Sequence, residues 1–239
     1  AWSANQTLFD CIKQLGSLFM YDRSGLGKSS PDFSISTANP ITAELVNSKL
    51  TQLLERNRIK SPYILVSHSY GGLYTGYFAR KYPDLVAGML MVDPVPRNFL
   101  YSERIQKQFD IALATIGEMP NRKAYKLYGV SRQSQNNGIT ADGFYQHKGF
   151  EKTMKQVTEL PLMSSSFPII IISSTEMNII APIKGHWHSL QKQWLNQHSN
   201  STIVKAHSGH FIQTEHPKLV CNQVDRLVKI AAQSSKEGR

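Results

Sequence analysis

The sequence predicts an α/β fold, with a mostly parallel sheet covered by helices on both faces. Short unbroken apolar runs such as Tyr63–Val66, Ala87–Val92 and Ile169–Ile172 have the character of strands buried on both sides. Between them lie segments whose apolar residues repeat at helical spacing, and this alternation implies parallel pairing. Between 95 and 167 the strand pattern stops, which adds an insertion to the alternation.

In chain order, Leu8, Ile12 and Leu15 define a first amphipathic helix that ends near Gly16. Leu18–Tyr21 reads as a buried strand running into the glycine-rich loop Asp22–Ser29. Gly27-Lys28-Ser29 matches the tail of a phosphate loop, but that motif's first glycine would fall on Asp22, so nucleotide binding is disfavoured. Val46, Leu50, Leu53 and Leu54 stripe a second helix, which leads through Pro62 into the Tyr63–Val66 strand. Leu73–Arg80 forms a helix that Pro83 stops. After the Ala87–Val92 strand comes the polar, partly helical insertion, with a loop-like piece at Ser131–Gly138. The strand pattern resumes at Pro168–Ile172, followed by a helix marked by Trp187, Leu190 and Trp194 and a last strand, Thr202–Val204. Pro217 opens a final helix with the stripe Val220, Val224, Leu227, Val228 and Ala231. The predicted organisation is a core of 1–94 and 168–239 with a mainly helical cap, or lid, at 95–167.

With 239 residues, 41% hydrophobic and 18% charged, the chain is long enough for a large core plus an insertion. No apolar run reaches the roughly 20 residues that span a bilayer. The net charge of +10 is scattered without a dense basic block, which argues for a solvated basic surface and against a nucleic-acid partner. Cys11 and Cys221 both fall on predicted helices and read as buried free thiols. His186, His188 and His207 lack the carboxylate or cysteine pattern of a metal site and read as surface histidines.

The chemistry-bearing stretch is Ser67-His68-Ser69-Tyr70-Gly71, between a strand and a helix. A serine at the apex of such a turn is the nucleophile-elbow arrangement, and small residues at 67 and 71 suit the close approach there. A plain serine-rich turn after a buried strand is the competing reading. Further along stand Asp22-Arg23-x-Gly25-x-Gly27-x-Ser29, Val92-Asp93-Pro94 at a strand end, and Ser208-Gly209-His210-Phe211 with Glu215-His216-Pro217 before the last helix. With these marks in this order, nearly the whole chain resembles the α/β-hydrolase superfamily.

The resemblance implies Ser69 as nucleophile and His210 as base, with the Tyr70 amide as an oxyanion donor. For the acid it leaves two positions. Asp93, after the strand that follows the elbow helix, is favoured over Glu176, next to the position (Met177) where relatives most often carry aspartate. His68 occupies a place where the family often has histidine, and it reads as a packing residue. The resemblance also implies a second oxyanion donor on a loop that would precede residue 1, with Trp2 near a family tryptophan. These 239 residues are thus expected to be a trimmed, processed or truncated part of a longer chain, with a strand slot open between Leu18–Tyr21 and Tyr63–Val66. Loss of one such donor typically costs about a hundred- to a thousandfold in rate.

The expected activity is serine hydrolysis of an ester, thioester or amide of a small, largely apolar substrate, without metal or organic cofactor. Acyl transfer, C–C bond hydrolysis, cofactor-free perhydrolysis and a catalytically silent ligand-binding protein are the alternatives. Epoxide and haloalkane hydrolysis are disfavoured because those enzymes use aspartate where Ser69 stands. The apolar residues Phe99, Leu100, Phe109, Ile111, Leu113 and Met119 line a lid or form the insertion's own core. Substrate identity, oligomeric state and compartment stay open.

Overall fold

The computed structural model describes residues 6–97, 141–176 and 187–237. Trp2, the loop-like piece at 131–138, the six apolar insertion residues named above, Met177 and His186 lie outside the described residues. By compactness the chain divides into a first unit of Ala1–Leu18, Thr51–Phe99 and Val157–Arg239 and a second of Phe19–Leu50 and Leu100–Gln156. Residues 19–50, read from the sequence as core, therefore group with 100–156.

The first unit holds the sheet. Its strands are β1 (Tyr63–His68), β2 (Val86–Val92), β3 (Ile169–Ser174) and β4 (Thr202–Ala206), paired in parallel in the order β1-β2-β3-β4. The apolar runs of β2 and β3 are buried almost end to end, as a strand covered on both faces requires. On one face, Leu90, Val92, Ile170 and Ile172 pack against α1 (Gln6–Leu15) and the last helix, α8 (Pro217–Glu237). On the other, α3 (Gly71–Lys81) lies close enough that a Cβ on Gly72 would sit 3.1 Å from the Met91 methyl. Gly76 leaves no room for any side chain beside the Trp194 ring. Buried Arg80, at the end of α3, donates to the carbonyls of Val157, in the last turn of a helix, α5 (Phe150–Glu159), and of Leu160 and Pro161 just past it.

Two expectations are corrected. Leu18–Tyr21 forms no strand, because no described strand offers it a ladder, and Met20 is half exposed where a doubly buried strand would cover it. Cys11 and Cys221 are joined in a disulfide, with Cα atoms 6.2 Å apart. The sequence conceals this pairing because 210 residues separate the two, and only the packing of α1 on α8 brings them together.

In the second unit, α2 (Ala43–Arg56) begins and α4 (Ala141–Lys148) lies complete. The Asp22–Ser29 loop is closed by its own groups: Asp22 accepts the Lys28 amide at 3.0 Å, and Ser29 Oγ donates to the Asp22 carbonyl at 2.6 Å. With the Lys28 amide on this carboxylate and the Gly25, Leu26 and Ser29 amides on nearby carbonyls, the loop spends these donors on itself and is not cradling a phosphate. Asp32 accepts from Lys49 and from Ser34; burial alone would raise its pKa, but these bonds hold it down at about 2.

Candidate active site

Three of the four strands, β1, β2 and β4, each lead into a loop that supplies one piece of the site. β1 ends at His68, and Ser69 follows with φ +54°, a left-handed backbone that costs a non-glycine residue about 1–3 kcal/mol. The strain is held by local bonds: Ser69 N–H donates to Val92 O at 3.0 Å, and its carbonyl accepts from Gly72 and Val95. Ser67 is small and buried, with its Oγ accepting from Thr75 at 2.9 Å. A Cβ on Gly71 would rest 3.6 Å from Ser67, ordinary contact, whereas one on Gly72 would meet Pro94 at 2.8 Å. The tighter steric demand therefore falls on Gly72. The Tyr70 amide heads α3, at the helix end whose dipole favours negative charge.

β2 ends at Val92, and Asp93 follows, also left-handed at φ +42° and fully buried. The third residue, His210, lies on the loop between β4 and α7 (Ile212–Glu215). Glu215 Oε2 ties this loop by accepting from Ser208 Oγ at 2.8 Å and from the Gly209 amide at 3.2 Å. Ser174 Oγ and the Glu176 amide donate to Ser208 O, and His216 Nε2 donates to His207 O. These bonds give Glu215 and His216 of the sequence motif a physical role. They aim the His210 ring.

The three side chains meet. His210 Nε2 is 2.8 Å from Ser69 Oγ, and His210 Nδ1 is 2.7 Å from Asp93 Oδ2. Nδ1–H donates to the carboxylate, which leaves Nε2 to accept the Ser69 hydroxyl proton. Glu176 is not part of this array: its carboxylate, half exposed, pairs with His207 Nε2 at 3.0 Å. The His68 ring lies tilted against His210, with centroids 4.5 Å apart and planes at 44°, and donates Nε2–H to the His210 carbonyl at 2.8 Å. Burial, together with the neighbouring His210 ring, pushes its pKa down to about 4, so it is neutral near pH 7 and reads as a packing and orienting residue. His188 is only partly exposed and its pKa too is lowered, by burial and by Lys205 and Lys192. Among the described residues no cluster of His, Cys, Asp or Glu could hold a metal ion, and no helix is long and apolar enough to cross a membrane.

Sequence reasoning missed the groups around Asp93. Its Oδ1 accepts from the Ser174 amide at 3.1 Å, the Trp187 indole at 2.7 Å and Gln191 Nε2 at 2.9 Å. Trp187 and Gln191 sit on the short helix α6 (Trp187–Gln191), where the spacing of Trp187, Leu190 and Trp194 predicted a helix and nothing more. A tryptophan and a glutamine four residues apart carry no signal of what lies above them until the fold places β2 there.

A family model described as the alpha/beta hydrolase family matches residues 2–223. The chain belongs to the α/β-hydrolase family. A Bacillus subtilis protein, YqjL, described only as uncharacterised, is 26% identical over 204 residues, covering 85% of this chain and 69% of that one. An AB hydrolase superfamily protein of Gibberella zeae is 21% identical over 255 residues, with 89% and 78% covered. Among solved structures, an epoxide hydrolase, CorEH, superposes with a TM-score of 0.66 at 14% identity, covering 95% of this chain and 87% of that one. A monoacylglycerol lipase of Paleococcus ferrophilus gives 0.58 at 17% identity, with 96% and 90% covered. At such identities the structural likeness speaks for the fold of this family member and for nothing finer.

Proposed function

We propose that the chain is a serine hydrolase that cleaves an ester, thioester or amide of a small, largely apolar substrate. The observation that carries the reading is the Asp93–His210–Ser69 relay, with links of 2.7 and 2.8 Å on three separate loops at strand ends. His210 takes the hydroxyl proton as Ser69 Oγ attacks the carbonyl carbon, and Asp93 stabilises the imidazolium. The Tyr70 amide, at the positive end of α3, donates to the developing oxyanion. The imidazolium returns its proton to the leaving alcohol, thiol or amine; water activated by His210 then releases the acid and restores Ser69. Phe211, half exposed with its ring 5.4 Å from His210, supports an apolar contact beside the reacting carbonyl. The segment 95–167 serves as the cap in this reading.

Serine at position 69 separates this chain from relatives that attack with aspartate, which keeps epoxide opening out of the proposal. A fluorophosphonate probe tests the reading without knowledge of the substrate. The native chain is expected to label covalently and to hydrolyse p-nitrophenyl acetate, with both signals lost in Ser69→Ala and labelling strongly slowed in His210→Ala. A folded native chain that neither labels nor hydrolyses would favour the catalytically silent binding protein instead.

A further inference from the structure

Resting on the triad reading, we infer that α6 is a positioning element for the acid: Trp187 and Gln191 lock the Asp93 carboxylate so that Oδ2 alone faces His210. Three donors converge on Oδ1 (the Ser174 amide, the Trp187 indole and Gln191 Nε2), while Oδ2 accepts from His210. Rotating the carboxylate would break all of these bonds together. Its backbone, at φ +42°, is held separately by the Asp93 N–H bond to Ile172 O at 2.7 Å, so the orientation of the carboxylate is left to the bonds its own oxygens make.

Gln191 is the informative residue. It is fully buried, and its amide nitrogen serves two acceptors, Asp93 Oδ1 and Pro94 O, each at 2.9 Å. Its own Oε1 is buried without a hydrogen-bond partner among the described residues. Flipping the amide would set oxygen against a carboxylate and a carbonyl, so its orientation is unambiguous. An unpaired amide oxygen is unfavourable, and an apolar side chain of similar shape would avoid it. What glutamine adds here is its two N–H groups, aimed at the acid and at the residue behind it. One turn further, Trp194 Nε1 donates to Val95 O at 2.8 Å, so the stretch 187–194 braces Asp93, Pro94 and Val95 in succession. Trp187 and Gln191, four residues apart, share one face of α6.

The chemical consequence follows from charge. Each N–H on Oδ1 draws negative charge away from Oδ2 and fixes the lone pair that meets His210 Nδ1. Removing one donor loosens the base and concentrates charge at Oδ2, which stabilises the imidazolium.

The test measures p-nitrophenyl acetate hydrolysis by Trp187→Phe and Gln191→Met, with pH profiles, melting temperatures and Tyr63→Phe as the control. Tyr63→Phe loses a part-buried hydroxyl bond to Ile59 O and touches neither Asp93 nor the residues that follow it. By analogy with outer-shell residues elsewhere, kcat is expected to fall roughly 10–100-fold with KM nearly constant in the two α6 variants. The acid limb of kcat/KM is expected to move to higher pH in both and to stay in place in Tyr63→Phe. Should Trp187→Phe not fold, benzothienylalanine at 187 keeps the ring shape and removes only the N–H. Native kcat and an unmoved acid limb in folded variants would overturn the inference while leaving the triad intact. Native hydrolysis that survives Ser69→Ala and His210→Ala would overturn the triad reading, and this inference with it.

Discussion

Two left-handed residues, Ser69 and Asp93, stand at successive strand ends, and each carries one member of the proposed triad away from its strand. Such backbone is unfavourable for serine and aspartate, and it persists here because Val92 O and Gly72 N–H hold the Ser69 backbone and Ile172 O accepts from the Asp93 amide. The carboxylate is more than a structural acceptor in the proposed mechanism, and Asp93→Asn separates the two roles. The amide can still accept at one atom, but it presents either the wrong charge or an N–H to His210 Nδ1. The expected result is a loss of about 10⁴-fold in kcat toward p-nitrophenyl acetate with the fold retained. A folded variant within tenfold of the native rate would remove Asp93 from the proposed mechanism.

At the scale of elements, the site is assembled from ends and not from middles. β1 delivers Ser69, β2 delivers Asp93, and the loop after β4 delivers His210, while α3 and α6 act beneath them. Packing of α1 on α8 covers one face of the sheet, and the Cys11–Cys221 bond fastens that pair. Closing so long a loop restricts the unfolded chain far more than the folded one. Replacing both cysteines with alanine is expected to lower unfolding stability by about 2–5 kcal/mol. Urea denaturation of the native and doubly substituted chains, with and without dithiothreitol, measures this. Reductant should weaken the native chain and leave the variant unmoved; an equal response of both would show that the bond is not what fastens the helices.

For the whole molecule, the neutral His68 links stability to pH. Its pKa is about 4 in the folded chain against 6.5 for a free histidine, chiefly from burial and secondarily from His210. Above pH 6.5 both states are neutral and the group contributes nothing. As pH falls from there towards 4, the unfolded chain binds a proton that the folded chain refuses, so stability declines by up to about 3 kcal/mol. His188, shifted in the same direction, adds to the decline. Unfolding midpoints between pH 4 and 7 should therefore drop with acidity, and less steeply in His68→Asn. Parallel profiles for the two proteins would place the acid sensitivity elsewhere.

The alternation of apolar runs with helical stripes was enough to predict the parallel sheet, because burial on both faces leaves a plain hydrophobic signature. As candidates, Ser69 and His210 were legible because each sits in a short motif of small residues at a strand end. Between the two candidate acids the sequence favoured Asp93 only narrowly, since both follow strands; in the structure His210 Nδ1 lies 2.7 Å from Asp93, while Glu176 pairs with His207. The strand expected at Leu18–Tyr21 did not form, because a ladder depends on a neighbour that local pattern cannot supply. The disulfide and the α6 donors belong wholly to tertiary structure. They join residues distant along the chain, and their bonds exist only once the sheet has brought β2, β3, α1, α6 and α8 together.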